Sequence, residues 1–410
     1  MTVTPCGFRR TPEKGMARLR WAGRGWTAEG EGLPAAPPGR LDLPALRPLR
    51  GLEVEWPDGP VPLGEIVRLA AAGVPLTAAR ASCEPSAARG RASGPASVRA
   101  PAWVPASVRA PAWVPAGLAE LLTDREWLAC APGCGLRCVA DLRREEHSVR
   151  LRRLAARLAG TPGEFPASFA GEVACASRPK VSVVMSTKRP HLVSEALAQM
   201  ARQRNVEVEA VIGLHGVPYE AVRAAVESAP LPVSCVESQA AFGEVLNQAA
   251  GRAGGDYLVK WDDDDFYGPE HLSDLLLAMR ATGADIVGAT GEFFYLEPLN
   301  TTIRRTTFAS GAAYPSEVWA DHVAGGTILL DAAKFRSLGG FPALPRAVDK
   351  AFLKAAQAQG ARIYRTHGLG YVLRRTLSDE HTWQLPLSHF LKVAANQWRG
   401  FRPSRLMEAA

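Results

Sequence analysis

The chain has 410 residues, 47% apolar and 22% charged, a globular composition with length enough for two or three domains, each with its own core. Its net charge of +7 comes from arginines scattered through every segment rather than gathered into one basic, aromatic-interleaved patch, which argues against nucleic acid as a partner. No run reaches the roughly 18 apolar residues of a membrane span. The opening MTVTPCGFRRTPEKGMARLRW lacks the apolar heart of a signal peptide, and 7 cysteines, an odd number, argue against a secreted disulfide framework, so a cytoplasmic protein is expected.

Residues 1–95 start Pro-, Gly- and Arg-rich, contain one patterned stretch, LGEIVRLAAAGVPLTAA at 63–79, and read as a partly irregular accessory region. ASVRAPAWVP then occurs at 96–105 and again, unchanged, at 106–115. Its prolines exclude a helix, and two copies fall short of the roughly three units a solenoid stacks, so 96–117 reads as an extended linker. Cys130, Cys134 and Cys138 recur in CAPGCGLRC without a fourth ligand or the spacing of a zinc ribbon, and read as incidental thiols. GLAELLTDREWLA and DLRREEHSVRLRRLAARLAG carry Leu and Ala at helical spacing, making 118–175 a helical accessory segment.

From 176 the pattern alternates between strand and helix. KVSVVMST (180–187) suits a buried parallel strand, and HLVSEALAQMARQR is an amphipathic helix. VEVEAVIGLHG, YEAVRAAVESA and PVSCVES continue as strand, helix and strand; FGEVLNQAAGRAGG is a helix closed by glycines, and DYLVKW a strand. This alternation predicts an α/β, Rossmann-like, doubly wound and mostly parallel sheet, whose ligands sit outside the carboxyl ends of its strands.

There DYLVKW delivers Asp262, Asp263, Asp264 and Asp265, ahead of the helix GPEHLSDLLLAMRATG. Like charges about 4 Å apart repel by roughly 1 kcal/mol in water and by several times that where water is excluded, so something must offset the crowding. Strand alternation sends neighbouring carboxylates in different directions, so some can converge on a divalent cation while another faces a sugar hydroxyl. Hard oxygen ligands point to Mn²⁺ or Mg²⁺ carrying a phosphate, and a cation with a diphosphate is the expected offset. A solvated acidic turn capping the next helix is the plainer alternative.

VSVVMSTKRPHLVSEALAQM resembles the opening strand and helix of the family 2 glycosyltransferases. FGEVLNQAAGRAGGDYLVKWDDDDFYGPEHL is similar to that family's segment with an Asn on a helix before the Asp-x-Asp signature. VAGGTILLDAAKFRSLGGFP resembles its acceptor-side segment, and AVDKAFLKAAQAQGARIYRTHGLGYVLRR its base-bearing helix and following strand. The resemblance covers about residues 178–385 and implies a GT-A fold over 176–385, leaving 386–410 as a C-terminal helix and tail.

Residue by residue, the resemblance implies that Asp262 and Asp264 hold the metal and Asp263 lies near the ribose. Thr187, Arg189 and Asn247 border the donor nucleotide, Gly325 and Gly326 face the acceptor, Asp349 is the catalytic base, and His381 completes the metal shell. Several have plainer alternatives: Asp349 also suits a helix N-terminus, Asn247 a helix surface, and Gly325 and Gly326 a tight turn; His367 reads as structural or acceptor-side. Two features depart from the family pattern. VIGLHGVP has no acidic pair after the second strand, and Val348 stands where an acid usually precedes the base.

The implied activity is metal-dependent, inverting transfer of a sugar from a nucleoside-diphosphate donor to a saccharide, lipid-linked or small-molecule hydroxyl acceptor. Two alternatives stay open: a nucleotidyltransferase, although STKRPH lacks the glycines of a triphosphate-gripping loop, and a non-catalytic nucleotide-sugar or carbohydrate-binding relative. The basic C-terminal HFLKVAANQWRGFRPSRL, with Trp and Phe at helical spacing, predicts a helix packed on the domain or in peripheral contact with an anionic membrane surface.

Overall fold

The computed structural model describes residues 12–34, 37–79, 110–128, 139–159, 178–308, 310–376 and 385–407. Cys130, Cys134, Cys138, the first copy of the repeat and His381 lie outside the described residues. The chain divides into two compact units, Phe8–Leu154 and Ala155–Ala410.

The described residues of the first unit include a small α/β assembly. Strands β1 (Lys14–Trp21), β2 (Trp26–Glu29), β3 (Leu49–Glu55) and β4 (Leu76–Ala78) form a sheet in the order β2-β1-β3-β4, with β1, β3 and β4 parallel. Alternation in β1 buries Ala17 and Leu19, while Arg18 and Arg20 pair outside with Glu55. The Pro- and Arg-rich composition masks this, because only two inward side chains of the strand carry the signal. The second copy of the repeat ends inside the core: Val114 is buried, and Trp113 packs edge-on against Trp56 with centroids 5.4 Å apart. The predicted linker is therefore structured by its last residues, which lead into helix Ala116–Thr123; helix Val139–Ala159 follows as its spacing predicts.

In the second unit β5 (Lys180–Thr187), β6 (Glu207–His215), β7 (Val233–Ser238) and β8 (Tyr257–Trp261) alternate with helices Val193–Ala201, Arg223–Glu227 and Phe242–Ala250. All four strands are parallel, in the order β7-β6-β5-β8. Seven consecutive residues of β5, from Val181 to Thr187, are buried, as a strand covered on both faces requires. Val181, Val183 and Met185 join one core cluster, and Val184 joins another with helix residues Leu246 and Ala249. The chain builds outward from β5 to β7, then returns to place β8 on the other side of β5. Such a reversal leaves a crevice at the carboxyl ends of β5 and β8.

The remaining strands are β9 (Phe266–Tyr267), β10 (Ile286–Ala289), β11 (Phe293–Leu296), β12 (Thr301–Arg305), β13 (Val318–Trp319), β14 (Leu329–Asp331), β15 (Ile363–Thr366), β16 (Tyr371–Arg375) and β17 (Ala394–Arg399). They extend the main sheet to eight strands, β7-β6-β5-β8-β14-β10-β15-β13, in which β14 runs antiparallel to both neighbours. A second sheet of five strands, β17-β12-β11-β16-β9, is absent from the sequence reading. Of the expected C-terminal helix and tail, Leu387–Lys392 is an α-helix and Arg405–Met407 a 3₁₀ turn, whereas β17 pairs antiparallel with β12. Residues of β17 alternate between half-buried and exposed, and Trp398 stacks on Phe293. Pairing with the β12 edge overrides the helical spacing of the aromatics.

Candidate active site

β5 and β8 end side by side, with Thr187 closing one and the four aspartates following the other. Asp263 turns toward the end of β5. There Thr187 Oγ1 donates to its Oδ2 at 2.5 Å, and Arg189 donates to both of its oxygens, through Nε at 3.2 Å and through Nη2. Arg189 Nη1 reaches Asp264 Oδ2 at 3.0 Å. Asp265 turns the other way, into the second sheet, where the Tyr371 hydroxyl and the Arg374 backbone N–H (3.0 Å) take its two oxygens. Asp262 points toward Lys260, whose Nζ donates to its Oδ1 at 2.5 Å.

Lys260 is a charged residue in an apolar strand, two positions before Asp262 and so on the same face. It is 3% exposed, and its ammonium also lies 3.3 Å from Asp349 Oδ1. Burial pushes its pKa down, but the Asp262 and Asp349 carboxylates outweigh that and hold it above the ordinary lysine value. The cations paired with Asp262, Asp263 and Asp264 are thus Lys260 and Arg189, both within the chain. The chain itself thus supplies part of the offset that the sequence reading assigned to a divalent cation. Burial raises the pKa of Asp263 despite Arg189, and raises that of Asp265 much further, with Asp264 and Asp262 adding to it. Burial, ahead of mutual repulsion, dominates both shifts.

The antiparallel course of β14 brings its own approach, residues 325–328, to the carboxyl end of β8, where Lys260 N donates to Ile328 O at 2.9 Å. Gly325 and Gly326 therefore lie under the carboxylates. A Cβ at Gly325 would sit 2.2 Å from Asp349 Oδ2, and one at Gly326 would sit 2.7 Å from both Asp262 Oδ2 and the Tyr267 hydroxyl. Tyr267 is buried, stacks on Trp261 with centroids 3.5 Å apart, and its hydroxyl accepts from Asp262 N (2.9 Å) and donates to Gly326 O (3.0 Å). One phenol thus ties the acidic run to the glycine pair.

Asp349 occupies the first turn of helix Val348–Ala358. Its side chain is 32% exposed, yet Oδ1 is buried and, although ion-paired with Lys260, makes no hydrogen bond. Burial raises its pKa, Lys260 opposes this, and Asp262 adds to it, for a net upward shift. Asn247, expected beside the nucleotide, spends its whole amide on Phe341: Nδ2 donates to Phe341 O and Oδ1 accepts from Phe341 N, both at 2.8 Å. It pins the turn containing Gly340, whose φ of +73° favours glycine, ahead of the Asp349 helix. His367 Nε2 lies 3.4 Å from Asp274 Oδ2 and is buried, the structural role its sequence allowed.

Sequence reasoning missed Lys260 and Tyr267. The signal for Lys260 was present, a lone charge inside YLVKW at an even spacing from Asp262; nothing local marked Tyr267.

Among the described residues no three His, Cys, Asp or Glu side chains converge as a preformed metal site. The donor set nevertheless fits a hard cation that arrives with a diphosphate: Asp262 Oδ2 makes no hydrogen bond among the described residues, its side chain is 33% exposed, and Asp264 stands on the same loop. Asp265, with both oxygens taken inside the second sheet, does not fit such a role.

Residues 182–328 match the sequence profile described as Glycosyl transferase family 2. The match is confined to this part of the chain. The matched segment contains Thr187, Arg189, Asn247, the four aspartates and both glycines, and stops before Asp349. A Bacillus subtilis (strain 168) protein described as uncharacterized glycosyltransferase YwdF is 29% identical over 160 residues, covering 36% of this chain and 57% of its own. The chain thus spans little more than half of that relative. Two solved structures align more loosely with this chain. One is the mannosyltransferase PcManGT from Pyrobaculum calidifontis in complex with GDP-Man and Mn²⁺, with TM-score 0.37, 21% identity, and 50% of this chain and 58% of that one covered. The other is S. aureus TarS 1-349 in complex with UDP-GlcNAc, with TM-score 0.38, 17% identity, and 52% and 64% covered.

Proposed function

We propose that this chain is a metal-dependent, inverting glycosyltransferase that moves a sugar from a nucleoside-diphosphate donor to a hydroxyl acceptor, with Asp349 as the base. The observation that carries this is the placement of the Asp349 and Asp262 carboxylates over consecutive glycines at the carboxyl ends of β5 and β8, within reach of one buried ammonium. Asp262 and Asp264 would hold Mn²⁺ or Mg²⁺, which when bound supplies positive charge for the diphosphate leaving group. Thr187 and Arg189 order Asp263 at the donor side.

Asp349 takes the proton of the acceptor hydroxyl; its upward-shifted pKa makes it a stronger base than an ordinary aspartate. Attack from the face opposite the diphosphate inverts the anomeric carbon. The acceptor class is a saccharide, a lipid-linked glycan or a small molecule. No helix among the described residues is long and apolar enough to cross a membrane, and we assign the reaction to the cytoplasm, with peripheral membrane contact for a lipid-linked acceptor.

The test is nucleoside-diphosphate release by purified protein with Mn²⁺ and a panel of nucleotide sugars. Asp349→Asn is expected to lower transfer by at least about 10³-fold while keeping donor binding in a thermal-shift assay. Binding of donors with no turnover of any of them would instead indicate a carbohydrate- or nucleotide-binding module.

A further inference from the structure

Lys260 faces both functional carboxylates and grips them unequally. Its Nζ donates to Asp262 Oδ1 at 2.5 Å, whereas Asp349 Oδ1 stands 3.3 Å away as an ion-pair partner without an aligned hydrogen bond. Among the described residues Lys260 is the side-chain partner of Asp262, and no other cation pairs with Asp349. The lysine cannot withdraw to solvent: its side chain is 2% exposed, its backbone is fixed to Ile328, and the Phe242 ring lies 5.9 Å from its ammonium.

A divalent cation on Asp262 would meet this ammonium as a like charge competing for the same carboxylate. We infer that Lys260 is a positioning residue displaced by the metal: it holds Asp262 in the ligand-free chain, and metal capture by Asp262 hands it over to Asp349, orienting the base. Donor arrival and base orientation thereby become linked through one side chain. The inference rests on the reading of Asp262 as a metal ligand and Asp349 as the base.

The experiment compares wild type, Lys260→Met and Lys260→Arg in the full chain, measuring Mn²⁺ affinity by electron paramagnetic resonance with the metal alone and with a nucleoside diphosphate added, and kcat and donor KM for transfer. Lys260→Met is expected to bind Mn²⁺ at least about tenfold more tightly, because its competitor is gone. The same variant is expected to lose roughly 10²-fold in kcat through a misplaced base, without a rise in donor KM. Lys260→Arg, which keeps the charge, should hold Mn²⁺ within about threefold of wild type. A purely structural lysine predicts the reverse, with Mn²⁺ affinity falling alongside kcat, and that result overturns the inference, as does an unchanged affinity. Should the Met variant fail to fold, Lys260→Gln gives the same comparison. If wild type binds no Mn²⁺ even in the presence of a nucleoside diphosphate, the metal reading itself falls and takes this inference with it; if wild type binds Mn²⁺ and turns over but the neutral variant does not bind more tightly, the inference alone fails.

Discussion

Gly325→Ala is the sharpest perturbation the site offers. The glycine has no positive φ, so alanine meets no backbone strain there, and the whole effect comes from one methyl group. That methyl would lie 2.2 Å from Asp349 Oδ2 and 2.7 Å from its Cγ, where real contacts essentially never fall below 3.0 Å. Relief requires the carboxylate to move by roughly 1 Å, away from the position facing Lys260. Misplacing a reacting group by that much costs about 10²-fold, or about 2.7 kcal/mol of transition-state stabilisation. The assay is steady-state sugar transfer, with circular dichroism and a donor thermal-shift titration to show that fold and donor site persist. The expected result is a kcat loss of roughly 10²-fold with donor affinity nearly unchanged. The neighbouring Gly326→Ala is a built-in contrast: its methyl meets Asp262 Oδ2 and the Tyr267 hydroxyl, so Mn²⁺ and donor affinity should fall first. A Gly325→Ala enzyme with kcat within twofold of wild type would refute the placement of the base over this glycine.

Tyr267→Phe leaves Asp262 N and Gly326 O without their shared partner in a buried site, and should destabilise the 155–410 unit by about 1–3 kcal/mol in denaturant titration while weakening Mn²⁺-dependent donor binding. Asn247→Asp keeps an acceptor for Phe341 N but turns a carboxylate oxygen on Phe341 O; a loss of stability larger than that of Asn247→Ala, read as a lower Tm, is expected. The acid limb of kcat/KM should lie above the ordinary aspartate range, because burial, with Asp262 adding, outweighs Lys260 in raising the pKa of Asp349. Since a raised folded pKa means that the folded chain holds its proton more tightly than the unfolded one, the contribution of Asp349 to stability is greatest in acid and is lost as pH rises through the folded value. Asp349→Asn should therefore gain on wild type as pH rises, and an acid limb at or below the ordinary aspartate pKa would argue against this base.

Much of the second unit was legible because its signals are local. The apolar run of β5, the amphipathic helices between the first strands and the acidic turn after β8 each depend on a few neighbouring residues, and their alternation implies the sheet edge where a site belongs. In β1 and β17 the sequence misled, because the first strand is hidden by arginines and the second carries Trp398 at helical spacing from Phe401.

Residue types and their order thus determined the fold class of residues 178–376 and the candidates Asp262, Asp264 and Asp349. Tertiary structure alone decided where each of four consecutive carboxylates points. That depends on the antiparallel insertion of β14 beside β8, on the β9–β16 pairing that draws Asp265 inward, and on the Arg189 side chain reaching across from β5. Each of these contacts joins residues about 70 or more positions apart in sequence, and charges so close together are set by their three-dimensional partners, not by their neighbours in the chain.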